Sequence, residues 1–196
     1  MTAVISGSDQ RARCGWAVES EDYLAYHDLE WGRPVVGEAA LYERISLEAF
    51  QSGLSWIIIL RKREAFRAAF AAFDPVVVAD YDDDDVARLL GDAGIVRNRA
   101  KIVATIANAR ALLALPTGTT LASILESHRP PPKPAPRSLG DVPAVVPQSV
   151  ALAKELRSRG FRFVGPTTAY AMMQATGYVN DHLDDCWARE YAGTTI

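Results

Sequence analysis

The 196-residue chain holds two cysteines and three histidines, and four of these five residues stand as two pairs near its opposite ends. His182 and Cys186 have the H-x3-C spacing that can put two side chains on one face of a helical turn. Cys14 and His27 are farther apart, so a loop or a second element must bring them together. Two thiols and two imidazoles suit tetrahedral zinc, and four protein ligands leave no open position for a reactive water. Such an ion would be a staple rather than a catalyst. The same residues fit other arrangements: a disulfide, two unrelated buried thiols, or histidines satisfied in the interior, since only the late pair has a compact ligand spacing.

The elements that must position these residues are constrained by composition. With 49% apolar residues, the chain can bury a sizeable core in one compact unit, and 23% charged residues is ordinary for a soluble globular protein. A net charge of −3 argues against binding nucleic acid through bulk charge and leaves room for a local basic patch. Basic residues gather at Arg61-Lys62-Arg63, at Arg97, Arg99 and Lys101, and at Arg157, Arg159 and Arg162, clusters that commonly form solvated helix faces. The N-terminal stretch has no basic region followed by a long apolar core, and the apolar run Trp56 to Leu60 is far too short to span a membrane. A cytoplasmic location without membrane partners is expected, which favours free or metal-bound thiols over a disulfide.

The periodicity predicts an all-α protein without strand pairing. Leu41, Ile45, Leu47 and Phe50 mark a helix ended by Gly53, and Ser55 can cap a next one carrying Trp56 to Leu60. A further helix is predicted from Glu64 through Phe66, Phe70 and Phe73, and Asp74-Pro75 is a helix start. Asp82 to Asp85 form an acidic first turn leading into Val86, Leu89 and Leu90. Asp92-Ala93-Gly94-Ile95 then precedes an Ala-rich helix through Ile102, Ile106 and Leu113. This pair is a candidate helix-hairpin-helix, whose backbone N–H groups can hold a DNA phosphate without reading sequence, or else a plain αα-hairpin. Residues 130–136 form a proline-dense, exposed linker. Helices are predicted from Pro147 to Arg159 and from Thr167 to Thr176.

Several stretches together resemble the DNA-3-methyladenine glycosylase I family. They are Cys14-Gly15-Trp16, Tyr26-His27-Asp28 with Glu30-Trp31-Gly32, Leu47-Glu48 with Gln51, Gly53-Leu54-Ser55-Trp56, Asp92-Ala93-Gly94-Ile95, Gly160-Phe161, Phe163-Val164-Gly165 and Val179-Asn180-Asp181-His182. The resemblance runs from about Cys14 to Cys186 in the family's order. Ala49 and Ser52 depart from it modestly, standing where Gly and Ala are often seen, and the proline linker is this chain's own.

The resemblance implies one domain over 1–196 with the two-lobed helix-hairpin-helix DNA glycosylase fold. One lobe spans about 36–117 with the hairpin; the other spans about 12–35 plus 118–190, with a structural zinc held by Cys14, His27, His182 and Cys186. It implies a repair enzyme that flips 3-methyladenine, with 3-methylguanine as a further candidate, out of double-stranded alkylated DNA and releases it. Trp56 becomes a stacking wall for a cationic base. Glu48 accepts from the exocyclic amine and adds electrostatic stabilisation, and Tyr26 completes the pocket beside Tyr23 and Trp31. DNA contact is expected from the backbone at Gly94, Ile95 and Val96, helped by Arg97, Arg99 and Lys101. No aspartate occurs between Asp92 and Asp141, and Asn98 rather than lysine opens the second hairpin helix. Hydrolysis without lyase activity is therefore expected, and the resemblance implies a monomer without a nucleotide cofactor. The rivals are a zinc hydrolase with an open coordination position and a non-catalytic, zinc-stapled DNA-damage-binding protein.

Overall fold

The computed structural model describes residues 4–193. It begins with a small antiparallel hairpin, β1 (Val4–Ser6) paired with β2 (Ala12–Cys14), Val4 facing Cys14. The expectation of no strand pairing is thus corrected. Strands of three residues are too short to display an alternating pattern, and this hairpin is held by charge: Arg13 pairs with Asp9 across its turn at 2.6 Å and with Asp28 at 2.7 Å.

Nine α-helices follow among the described residues: α1 (Glu21–Leu29), α2 (Glu38–Gln51), α3 (Trp56–Ala69), α4 (Pro75–Ala79), α5 (Asp83–Gly91), α6 (Arg99–Leu113), α7 (Leu121–Ser127), α8 (Pro147–Ser158) and α9 (Pro166–Ala175). The all-α class holds. Helix α2 is the axle. From Leu41 to Phe50 all but Glu43 are buried, and the helix packs against α3, α6, α7 and α9. A helix buried on nearly every side needs neighbours all round. Its one acidic residue with a buried side chain, Glu48, is therefore enclosed by protein.

Two predicted helices, Trp56 to Leu60 and Glu64 to Phe73, are one continuous α3 that stops at Ala69. Ala71, Ala72 and Phe73 then take positive φ of 50°, 53° and 56°. Left-handed backbone costs about 1–2 kcal/mol per non-glycine residue, and here the stacked, fully buried rings of Phe70 and Phe73, 5.6 Å apart, hold the turn.

The hairpin helices form as expected. Asp82 accepts from the Asp84 and Asp85 amides to start α5, and Asn98 accepts from the Lys101 amide to start α6. One core runs through α2, α3, α5, α6, α7, α8 and α9, and a second small cluster gathers Cys14, Leu183, Cys186 and Ala188 against Val4, Trp16 and Trp187. The segment from His182 to Cys186 is a turn and not helical, correcting the helical expectation; Asn180 Oδ1 receives the His182 amide at 3.3 Å and Cys186 donates to the Leu183 carbonyl at 2.9 Å. The proline linker is exposed at Pro131 to Pro134 and anchored at its end, where the Pro136 carbonyl accepts from the Asp184 amide at 2.9 Å. No helix of the described residues is long and apolar enough to cross a membrane.

Candidate functional site

The two ends of the chain meet at a metal-type cluster. Cys14, His27, His182 and Cys186 are all buried, and one ligand atom from each lies within 4.8 Å of the others. His27 Nδ1 is 2.8 Å from Asp28 Oδ1, and Asp28 is held in turn by Arg13, so the Nε2 of His27 faces the cluster. His182 Nε2 lies 3.2 Å from the Trp31 carbonyl, which can only accept, and its Nδ1 faces the cluster. Although burial pushes the Asp28 carboxyl up, its bonds from Arg13 and His27 outweigh that and hold it below the ordinary range. The contact with the Cys14 thiol, and after it those with the two histidines, lower the Cys186 thiol below the ordinary range. Cys14 is pushed up by the same contact and by burial. Two thiols and two imidazoles, the latter each held by a partner on the far ring nitrogen, make a donor set that could hold a metal ion. The remaining histidine, His128, stands apart, 3.4 Å from Glu155.

Against this cluster lies a cavity of about 280 Å³ lined by Trp16, Tyr23, Tyr26, Trp31, Glu48, Gln51, Trp56 and Gln174 among others. It brings together all five residues expected to recognise a base. A larger cleft of about 660 Å³ lies elsewhere, along α5 and α6. There Asp82 and Asp83 sit among arginines, and Arg110 is committed to the Ala79 and Tyr81 carbonyls.

Glu48 is 6% exposed, and burial pushes its carboxyl up to about 7 against the opposing pull of Arg44. Tyr26 and Trp56 face each other with ring centres 5.4 Å apart. Trp16 sets its edge against Tyr23 and Trp31 at 5.6 and 5.1 Å, and against His27 at 5.2 Å. The cavity wall and the metal-type cluster therefore share one aromatic layer.

Helix α3 joins the cavity to the hairpin. Trp56 opens it, and the Tyr23 hydroxyl accepts from the Ile57 amide at 3.0 Å. Ser55 makes no side-chain cap, so the expected cap is supplied by Tyr23 instead. Two turns on, Lys62 Nζ donates to the carbonyls of Ala93 and Gly94 at 2.9 and 3.0 Å. A Cβ on Gly94 would come within 3.0 Å of the Ala65 methyl, which is why glycine stands at this crossing. Arg61 pairs with Asp22 at 2.7 Å and Arg63 with Glu30, so the basic run ties α3 to its neighbours.

Two expected DNA contacts change. Lys101 is buried, and its ammonium donates to the Phe50 and Ser52 carbonyls at 2.8 and 2.6 Å. It caps the end of α2 and is not available to a phosphate. The Gly94 amide is taken by Asp92 Oδ1 at 2.7 Å. Among the described residues no side-chain acceptor meets the Ile95 or Val96 amide. Arg97 and Arg99 are exposed, Arg99 lying 3.6 Å from Asp83.

A family model described as methyladenine glycosylase matches residues 16–190. The chain belongs to the methyladenine glycosylase family. It is 48% identical over 178 residues to DNA-3-methyladenine glycosylase 1 of Escherichia coli, covering 89% of this chain and 95% of that one. A crystal structure of a 3-methyladenine DNA glycosylase I superposes with a TM-score of 0.86 at 47% identity, over 89% of this chain and 98% of the other. A Staphylococcus aureus 3-methyladenine DNA glycosylase I, solved to explain recognition of 3-methyladenine, gives 0.84 at 32% identity, over 90% and 96%.

Within this methyladenine glycosylase, several site residues escaped the sequence reading. Arg44 lies one turn before Glu48 on α2, donates to the Tyr26 hydroxyl at 3.1 Å and sits 3.7 Å from Glu30. Its i, i+4 spacing to Glu48 is a signal that could have revealed it. Lys62 was visible as a basic residue without its partner, and Gln174 carried no local signal.

Proposed function

We propose that this methyladenine glycosylase family member is a base-excision repair enzyme that flips 3-methyladenine out of alkylated DNA and releases it by hydrolysis. The observation that carries the reading is Glu48: a buried carboxyl, raised to about 7, on the wall of an aromatic cavity. A buried carboxylate is costly unless a positive partner arrives, and an N3-alkylated adenine in DNA is such a partner. Neutral adenine is not. The same base leaves as a neutral molecule once the glycosidic bond breaks, its electron pair passing to the ring. Water then adds to the sugar carbon and loses its proton to solvent. Glu48 opposes the positive charge on base and sugar as the bond stretches. The lining of the cavity includes no lysine, in keeping with hydrolysis without a Schiff base. The names of the relatives support the same substrate, and 3-methylguanine is taken as a weaker one.

The buried cluster is proposed to hold zinc. Bonds of about 2.0 Å to nitrogen and 2.3 Å to sulfur in a tetrahedron place donors roughly 3.3 Å apart for N···N and 3.5 Å for N···S. His27 Nε2 and His182 Nδ1 are 3.2 Å apart, and Cys186 Sγ is 3.4 and 3.6 Å from them. Cys14 Sγ stands farther off, 3.9 Å from His182 Nδ1; four protein donors would leave a bound zinc no open position, and its work would be to fasten head to tail in the lobe formed by about 12–35 and 118–190. The hairpin lobe, about 36–117, takes the DNA backbone through the Ile95 and Val96 amides with Arg97 and Arg99. A cytoplasmic monomer needing no nucleotide cofactor completes the proposal.

Two expectations test its parts. Ionised Glu48 is the form that binds a fixed cation, and a bound cation draws its pKa below 7, so complex formation releases a proton. Below about pH 7, kcat/KM for base release is therefore expected to fall up to tenfold per pH unit, and above it to level off. A rate profile flat across about pH 5 to 8 removes Glu48 from recognition.

The second expectation concerns Lys62. Because C=O and N–H of a trans peptide point opposite ways, a cation on the Gly94 carbonyl polarises the Ile95 N–H and aims it away from α3. Lys62→Met is expected to weaken duplex binding about tenfold and leave binding of free 3-methyladenine unchanged. Unchanged duplex affinity rules out that role.

A further inference from the structure

Gln174 stands in the last turn of α9 and lines the same cavity as Glu48 and Trp56. Its amide nitrogen donates to Asp181 Oδ2 at 2.8 Å. That oxygen also receives the Tyr170 hydroxyl at 2.6 Å, while Lys133 Nζ lies 2.6 Å from the other carboxylate oxygen and donates to the Tyr170 oxygen at 3.2 Å. The Asp181 side chain is 0% exposed. A carboxylate facing a lysine accepts and does not donate, so the Gln174 amide has one orientation: nitrogen toward Asp181, carbonyl Oε1 away from it. No protein group bonds to Oε1 among the described residues, and it is not among the fully buried polar atoms left without a partner. It is open, on a side chain that forms part of the cavity wall.

Besides Glu19 and Gln51, the cavity wall carries two acceptors on helices that pack together, the Glu48 carboxylate on α2 and the Gln174 carbonyl on α9. Ala171, the other α9 residue on this wall, adds no polar group. An exocyclic amine conjugated to a purine ring has two hydrogens to give and almost no basicity of its own. Guanine carries an acceptor, a carbonyl oxygen, at the same ring position.

We infer that Gln174 is a second specificity residue, whose Oε1, locked by Asp181, accepts the amine hydrogen that Glu48 does not take. N3-alkylated adenine satisfies both acceptors, whereas N3-alkylated guanine would set its oxygen against both. A cavity that leaves its acceptors unpaired against the wrong base rejects that base, because desolvated polar groups are costly without partners. This assignment rests on the glycosylase reading above.

The test measures binding of free bases to the full chain by quenching of tryptophan fluorescence. Wild type is compared with Gln174→Leu, each titrated with 3-methyladenine and with 3-methylpurine, which lacks the amine. Gln174→Leu is expected to bind 3-methyladenine about tenfold more weakly and 3-methylpurine as well as wild type. Equal loss on both ligands, or loss on neither, overturns the inference, since a structural prop for Asp181 would affect both alike. A third ligand, N6-methylated 3-methyladenine with one amine hydrogen, tests the same point on wild type even where the variant does not fold. It is expected to bind at least tenfold more weakly than 3-methyladenine, and equal binding overturns the inference. Wild-type protein that binds no 3-methyladenine at all defeats the glycosylase reading itself, and the inference with it.

Discussion

Replacing Glu48 by glutamine is expected to weaken capture and release of cationic 3-methyladenine about a hundredfold, roughly 3 kcal/mol, while metal content stays unchanged. The size follows from what is lost. The carboxylate is buried on α2 beside Arg44, against an aromatic-lined cavity, so a single negative charge acts there with less screening than in water. Glutamine keeps the shape and one acceptor and removes the charge. The same substitution is expected to stabilise the free protein above pH 7. The folded chain holds the Glu48 proton more tightly than the unfolded chain, where the carboxyl keeps its ordinary pKa of about 4.5. As pH rises from about 4.5 through 7 the buried carboxylate ionises and stability is lost, up to about 3 kcal/mol; glutamine does not ionise. Higher thermal stability with lower binding is the signature of a group held for recognition at the expense of the fold. A variant with wild-type binding, or one less stable at about pH 8, contradicts it.

Cys186→Ser is expected to produce the opposite pattern. Loss of one donor from a closed four-ligand site removes most of the metal affinity, and a structural zinc is folding free energy because no site exists in the unfolded chain. A cost of about 3–5 kcal/mol corresponds to a fall in Tm of roughly 6–20 °C for a chain of this length. The fall should disappear when wild type and variant are compared after metal removal by a chelator. Activity at low temperature is expected to persist in the fraction that remains folded, because the cluster meets the cavity through the aromatic side chains and backbone of Trp31, Tyr26 and Trp16 and gives it no donor of its own. The Trp31 carbonyl lies 3.2 Å from the His182 ring, and the Trp16 ring stands 5.2 Å from His27. An inactive Cys186→Ser protein with full stability and full metal content would make the cluster part of the chemistry.

Much of the fold could be read from hydrophobic spacing because α2, α8 and α9 each bury their apolar positions and are bounded by glycine or proline. That the four scarce cysteine and histidine residues could come together was legible in the sequence, and they form one buried cluster. What escaped depends on encounters between distant residues. Lys101 reads as one more base at a hairpin, yet it is drawn inward by two carbonyls at the end of α2, about fifty positions away. The left-handed turn at Ala71 to Phe73 has no glycine to announce it, since packing of Phe70 and Phe73 rather than backbone preference maintains it. Gln174 gives no local sign at all, because its importance comes from a buried aspartate in a later loop.

The most direct test of the central claim is base release. Duplex DNA alkylated at adenine N3 is incubated with the metal-loaded protein, and the liberated bases are separated by chromatography. Free 3-methyladenine is expected to appear with multiple turnovers, leaving the sugar-phosphate strand uncut, and Glu48→Gln is expected to slow its appearance about a hundredfold. A folded, metal-loaded protein that binds this DNA and liberates no base contradicts the claim and makes the protein a damage-binding module.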